Sequence, residues 1–362
     1  MLFVTNREPK GSVKATKKSK PYQFDLDKNA PANSVYFCTR DGKGEYSEIG
    51  SSKFMKRLKE SSAKQILLYI HGFSNLPEDH IFPRVEALQS LFDAREENLI
   101  DVVPLIWPCD NDIGIVKDYW DDQKAADQSA FSFARVLQRF MDWRSQEPEE
   151  DPCLKRINIL AHSMGNRVLR ETMNKWDKYD LASGVPLLFR NTFLVAADIV
   201  NEALEEEGTG RLITHASRNV SVYFASDDLA LRASKISNLK NKVASRRLGH
   251  TGPEDMRAVP TNVYAIDCDN FNNAYDRPKG HSYFLEDNNG KPGKVFDHMF
   301  NSIKTGRVKV DDARNRRHIL WLVNNPLQIA TYPLFVRIKR LQTYDSLVGI
   351  PSLQRQRMYH AC

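Results

Sequence analysis

The sequence has no uninterrupted apolar stretch near the ~18 residues of a membrane span; runs such as Ile66–Ile70 are of strand length. Its amino terminus, MLFVTNREPKG, has no charged head leading into an apolar h-region, so a secretory leader is not expected. Cysteine is scarce. The five thiols, Cys38, Cys109, Cys153, Cys268 and Cys362, are odd in number, scattered and never spaced C-x-x-C. That pattern supports neither a zinc knuckle nor a disulfide framework and fits reduced thiols in a cytoplasmic protein. There is no internal repeat, and no low-complexity block beyond a Lys-rich stretch near the start. Membrane-spanning and secreted classes are set aside.

What the 362 residues do contain is material for a core: 41% are hydrophobic and 27% charged, with a mean hydropathy of −0.52. This length suits one large α/β domain with extensions, or two smaller domains. The net charge of +6 is unevenly spread. Residues 7–20 hold six Lys/Arg against one Glu, and residues 305–362 hold ten Lys/Arg against three Asp, so the body between them is net acidic. A basic, nucleic-acid-binding core is therefore not expected. The basic ends are either solvated or free to meet an anionic surface.

Strand-like runs recur along the body: MLFVT, SVYFCT, QILLYIHG, DVVPLIWP, RINILAHS, NTFLVAAD, NVSVYFAS and NVYAIDCD. The last six are almost continuously apolar, as in strands covered on both faces of a parallel sheet. Between them lie helical patterns. Phe133, Val136, Leu137, Phe140 and Met141 form one apolar stripe at helical spacing. Alternating strands and helices predict βαβ units and a mostly parallel sheet covered by helices on both faces.

The strongest chemical signal is RINILAHSMGNRVLRETM, Arg156–Met173. An apolar strand runs into Ala161-His162-Ser163-Met164-Gly165, and a helical pattern follows. A nucleophile on a tight strand-to-helix turn needs small residues two before and two after it, so as not to crowd the neighbouring strand and helix. Ala161 and Gly165 supply them. Ser163 is thus the nucleophile candidate, set against the plainer reading of a helix N-cap.

A tetrahedral intermediate needs two preorganised donors. ILLYIHGFSN ends a strand at His71-Gly72-Phe73, so the main-chain N–H groups of Phe73 and Met164 are the oxyanion-hole candidates. His71 precedes the serine in chain order and reads as a structural histidine bracing the loop. A serine also needs a base oriented by a carboxylate, and on a hydrolase sheet these follow in the order acid, then histidine. NVSVYFASDDLALRAS ends a strand at Asp227-Asp228. Asp228 is preferred as the acid, with Asp227 as N-cap of the next helix. His281, in GHSYF, is the base candidate, and His250, in RLGHTG, its rival. Asp267 and Asp269 form a D-x-D pair read as loop polar groups rather than metal ligands.

With these residues in view, the chain resembles the α/β-hydrolase superfamily, and more narrowly the bacterial family known as domain of unknown function 900. The pieces that carry the resemblance are FVTNR, LLYIHGF, LIWP with DYWDD, AHSMGNRVL, VYFASDDLAL with RLG, and GHSYF, spread over Leu2 to Ile303. By matching position it implies an α/β-hydrolase fold with Ser163 as nucleophile, Asp228 as acid and His281 as base. Cys109 stands where the family often has Ser after Trp-Pro, and no family motif reaches residues 305–362.

The expectation is therefore a serine hydrolase of domain 1–304, acting on a small-molecule carboxylic ester, thioester or related acyl bond, without a cofactor. Ile113, Ile115, Val116, Tyr119 and Trp120 either line an apolar acyl pocket or simply pack a helix on the sheet. HILWLV and YPLFV make the extension 305–362 too apolar for a free linker, so it is expected to pack on the body. It is also where an anionic membrane surface or a protein partner would engage. The rival classes are a membrane-surface lipase or phospholipase, a peptidase, and a non-catalytic interaction module.

Overall fold

Strands buried on both faces require helices on both sides, and the fold meets that requirement. The computed structural model describes residues 1–11, 13, 20–109, 115–181, 184–232, 246–269, 272–275, 280–287 and 290–320. The strands are β1 (Leu2–Arg7), β2 (Pro21–Tyr22), β3 (Pro31–Gly42), β4 (Glu45–Glu48), β5 (Gln65–Ile70), β6 (Ile100–Ile106), β7 (Arg156–His162), β8 (Phe189–Val195), β9 (Ser217–Phe224), β10 (Val263–Asp267) and β11 (Arg317–Ile319). They form one sheet in the order β11-β10-β9-β8-β7-β5-β6-β1-β3-β4-β2. From β11 to β1 every pairing is parallel; β3, β4 and β2 add an antiparallel edge.

All eight anticipated runs are strands. β2, β4 and β11 are too short to show a periodicity. One face is covered by α1 (Ser51–Glu60), α3 (Ile115–Gln146) and α4 (Gly165–Asp180), through Phe54, Phe133, Leu137, Leu169 and Trp176. The other is covered by α2 (Phe82–Arg95) and the helix Lys294–Thr305, through Leu88, Phe92, Phe296 and Met299. This is the α/β-hydrolase fold. Parallel strands all end at one pole, so the turns after β5, β7, β8, β9 and β10 gather there.

The opposite pole carries a buried amide ladder. Asn158 Nδ2 donates to Gln65 Oε1 at 3.1 Å, Asn191 Nδ2 to Asn158 Oδ1 at 2.8 Å, and Asn219 Nδ2 to Asn191 Oδ1 at 2.9 Å. The same amides reach the carbonyls of Ser302, Ile303 and Gly306 at the carboxyl end of the helix Lys294–Thr305, where Ser302 O also accepts Gly306 N–H. Leaving a buried polar group unpaired costs roughly 1–3 kcal/mol. Asn191→Ala leaves Asn158 Oδ1 without its donor, so a loss of roughly 1–3 kcal/mol is expected in urea unfolding.

Met1–Leu320 form one compact unit. Residues 305–320, grouped with the extension on sequence, contribute β11, which pairs with β10. The remainder of the extension, 321–362, lies outside the described residues, as do Ile113, the side chains of Ile115 and Val116, and residues 14–19 of the basic segment 7–20. Arg7, in that segment, is not a solvated charge: it is fully buried and donates to the carbonyls of Asp25 and Cys109. Among the described residues no helix is long and apolar enough to cross a membrane.

Candidate active site

β7 delivers Ser163 to the carboxyl pole, where α4 begins two residues later. Ser163 has φ 53°, a left-handed backbone that is strained for any residue but glycine. Neighbours hold it there. Ser163 N–H donates to Val195 O at 3.0 Å, and Ser163 O accepts from Asp198 N–H at 3.2 Å. Asn166 Nδ2 donates to both Ala161 O and Ser163 O at 3.0 Å. Asn166 is thus a staple of the turn, a role that its place in a helical pattern gave no sign of. Gly165 is obligatory for another reason: a Cβ there would lie 2.5 Å from Ile70 O and 2.6 Å from His71 O. The sequence requirement for small residues therefore has a physical origin in the close approach of α4 to the end of β5.

The turn after β5 faces the serine. A Cβ on Gly72 would come within 2.9 Å of Ser163 Cβ, so only glycine lets the two turns meet. Among the described residues, the main-chain N–H groups of Phe73 and Met164 meet no acceptor. The loop is braced from every side. Asn75 Nδ2 donates to the carbonyls of Gly72 and Phe73, and Asp122 accepts from Ser74 N–H and Asn29 Nδ2. His71 is fully buried, its ring stacked on Trp107 at 5.1 Å; Nδ1 donates to Gly72 O and Nε2 accepts Trp107 N–H. Both ring nitrogens are thereby committed, so His71 braces the loop. Cys109 Sγ sits in the same network, 3.1 Å from Asn75 O.

Asp228 and His281 are together. His281 Nδ1 lies 2.7 Å from Asp228 Oδ2, with Asp228 fully buried. The other carboxylate oxygen, Oδ1, accepts Leu231 N–H at 3.0 Å, so the helix-capping role expected of Asp227 falls to Asp228. Asp227 instead accepts from Asn272 Nδ2 at 2.7 Å. The His281 ring packs against that of His162, the residue before Ser163, with centroids 4.8 Å apart, and His162 Nε2 donates to His281 O at 3.2 Å. His162 therefore ties the GHSYF segment to the serine turn. Its neighbour Phe284 closes the far side, 5.0 Å away.

His250 belongs to a different arrangement, in the short helix Leu248–Thr251. There Gly249 packs so closely on Ala196 and Ala197 that a Cβ would overlap their backbone, and Arg247 pairs with buried Asp198 at 3.2 Å. Asp198 also accepts Tyr119 OH at 2.7 Å, and the Tyr119 ring meets that of Phe73 edge-on at 5.8 Å. Of the anticipated acyl-pocket residues, Tyr119 is thus committed to this network. Trp120 lines an open groove of about 390 Å³ between α3 and α4, with Asp127, Phe131 and Arg167. Asp269 accepts from Ser226 Oγ and Asp267 from Asp269 N–H, so both act as loop polar groups.

Burial drives four histidines toward the neutral form: His71 is pushed down to about 3 and His298 to about 4, His162 falls well below its ordinary value through burial and the neighbouring His281, and His318 is also lowered by burial. The unfolded chain takes up these protons near pH 6.5, and the folded one only at lower pH. Their stabilisation is therefore complete above roughly pH 6.5 and is lost as pH falls toward the folded values, at up to about 1.4 kcal/mol per pH unit for each histidine. Unfolding midpoints should drop steadily from pH 6.5 to 4.5; a flat profile would contradict this.

A serine on a strained turn at the carboxyl edge of a mostly parallel, doubly covered sheet defines an α/β hydrolase. The chain belongs to the family described as "Alpha/beta hydrolase of unknown function (DUF900)", whose model matches residues 48–293. No curated protein matches it. Among solved structures it is similar to phospholipase PlaB from Legionella pneumophila, with 14% identity and a TM-score of 0.28 over 60% of this chain and 40% of that one. The same protein in complex with thio-NAD gives 16%, 0.27, 61% and 41%. The chain therefore spans about two fifths of the PlaB chain it matches.

Proposed function

We propose that the protein is a serine hydrolase that cleaves an ester, thioester or related acyl bond through an acyl-enzyme on Ser163. The observation that carries this reading is the 2.7 Å contact between His281 Nδ1 and buried Asp228, on a segment packed against the residue preceding Ser163. A carboxylate at Nδ1 keeps the proton on that nitrogen and leaves Nε2 basic. In the proposed cycle His281 Nε2 takes the Ser163 hydroxyl proton as Oγ attacks the acyl carbon. The oxyanion is received by the N–H groups of Phe73 and Met164, at the positive end of α4. His281 then gives its proton to the leaving alcohol or thiol. In the second half it activates water, which releases the acid and restores Ser163.

The groove along Trp120 begins beside the first turn of α4 and suits the non-reacting part of a small acyl substrate. The test is turnover of a chain-length series of p-nitrophenyl esters together with labelling by a fluorophosphonate, the modified residue being identified by mass spectrometry. Labelling of Ser163 and a chain-length preference are expected; an unlabelled Ser163 would favour a non-catalytic module.

A further inference from the structure

Three arginines stand at the start of adjacent strands, at the pole opposite Ser163: Arg156 opens β7, while Arg190 and Arg218 are second in β8 and β9. A strand rises about 3.3 Å per residue, so β7 separates this edge from Ser163 by roughly 20 Å. In the β7–β8 ladder Ile157 pairs with Phe189 and Asn158 with Asn191, which leaves Arg190 as the extra residue of a bulge. A bulge takes one side chain out of the regular alternation and re-aims it. On the other side Phe189 pairs with Ser217 and Asn191 with Asn219, so Arg190 and Arg218 stand opposite each other.

The Arg190 guanidinium lies over Gly306, where any Cβ would overlap it. Its Nε is buried and has no hydrogen-bond partner among the described residues. Burial and the positive charges of Arg156 and Arg218 hold Arg190 below the ordinary arginine range. Several buried or half-buried arginines of the unit are met by a carboxylate, as in Arg167–Asp127 and Arg247–Asp198, or by carbonyls, as in Arg7 and Arg316; among the described residues these three have no carboxylate in ion-pair contact. Arg156 also lines an open cleft of about 570 Å³ whose other charges are paired: Glu60 with Lys56, Asp151 and Glu147 with Lys59, Lys64 with Glu96, and Lys155 with the Ser61 carbonyl.

We propose that Arg156, Arg190 and Arg218 form a binding site for a phosphate group at the amino-terminal edge of the sheet. Gathering three guanidinium groups without a counter-charge is unfavourable unless an anion joins them. A carboxylate brings one charge and two oxygens. A phosphate brings close to two charges and oxygens directed tetrahedrally, which several planar N–H forks can meet at once.

The test is calorimetric titration of the full-length protein with inorganic phosphate, against sodium chloride at equal ionic strength. Saturable binding is expected in the wild type, weakened at least tenfold in both Arg190→Gln and Arg218→Gln. Arg218 is exposed, so Arg218→Gln should keep the wild-type melting midpoint in phosphate-free buffer, and it carries the test if Arg190→Gln fails to fold. Absence of saturable binding in the wild type, or equal affinity in Arg218→Gln, would overturn the proposal. Sedimentation with phosphatidic acid vesicles but not phosphatidylcholine vesicles, lost in Arg218→Gln, would identify a lipid headgroup as the source. Phosphate binding without sedimentation would identify a soluble phosphomonoester.

Discussion

Ser163→Ala is expected to abolish fluorophosphonate labelling and to lower ester turnover by roughly 10⁴–10⁶-fold. The effect is large because the hydroxyl is the atom that bonds the acyl group; without it His281 and Asp228 have nothing to activate. The residual rate would come from the oxyanion donors and substrate binding alone. The fold should be almost untouched. Alanine meets the same backbone strain at φ 53° as serine does, and the interactions that hold the turn use main-chain atoms of residue 163. The melting midpoint and the kinetic loss should therefore separate cleanly. Labelling that persists at another serine in the variant would move the nucleophile elsewhere.

Asp228→Asn is expected to cost about 10⁴ in kcat with little change in KM. An asparagine can still accept Leu231 N–H through Oδ1, so the helix start survives. Its amide would face His281 Nδ1 as a donor, however, and push the ring into the tautomer with Nε2 protonated, useless as a base. The neighbouring substitution is the control. Asp227 touches Asn272, not His281, and Asp227→Asn keeps an oxygen for that contact, so activity within a few-fold of wild type is expected. The reverse ranking, measured on one ester at saturating concentration, would transfer the orienting role to Asp227.

Much of the architecture was legible in the residues themselves. Continuous apolar runs, Ile66–Ile70 or Ile157–Leu160, suit strands covered on both faces, and their alternation with helical patterns made the parallel sheet legible from the order of residues. The small residues around Ser163 likewise reveal the turn, because the close approach of helix to strand excludes side chains whatever else the fold contains. Family motif pieces outside the proposed triad were visible, but their meaning was not. Trp107 of LIWP stacks on His71, Asp122 of DYWDD holds Ser74, and Arg247 of RLG pairs with Asp198.

Choices between equivalent groups at one position were decided only by tertiary structure. Asp227 and Asp228 differ by one residue in a loop, where no periodicity says which carboxylate turns inward; the path of the segment carrying His281 decides it. The same holds for the polar residues of the strands. Gln65, Asn158, Asn191 and Asn219 read locally as interruptions of apolar runs, yet they form one ladder because parallel register sets them side by side under the end of a helix more than eighty residues further along the chain. Burial pattern is a local property that a chain displays in its own order of residues. Pairing among polar groups is a property of which distant segments meet, and it exists only once they have met.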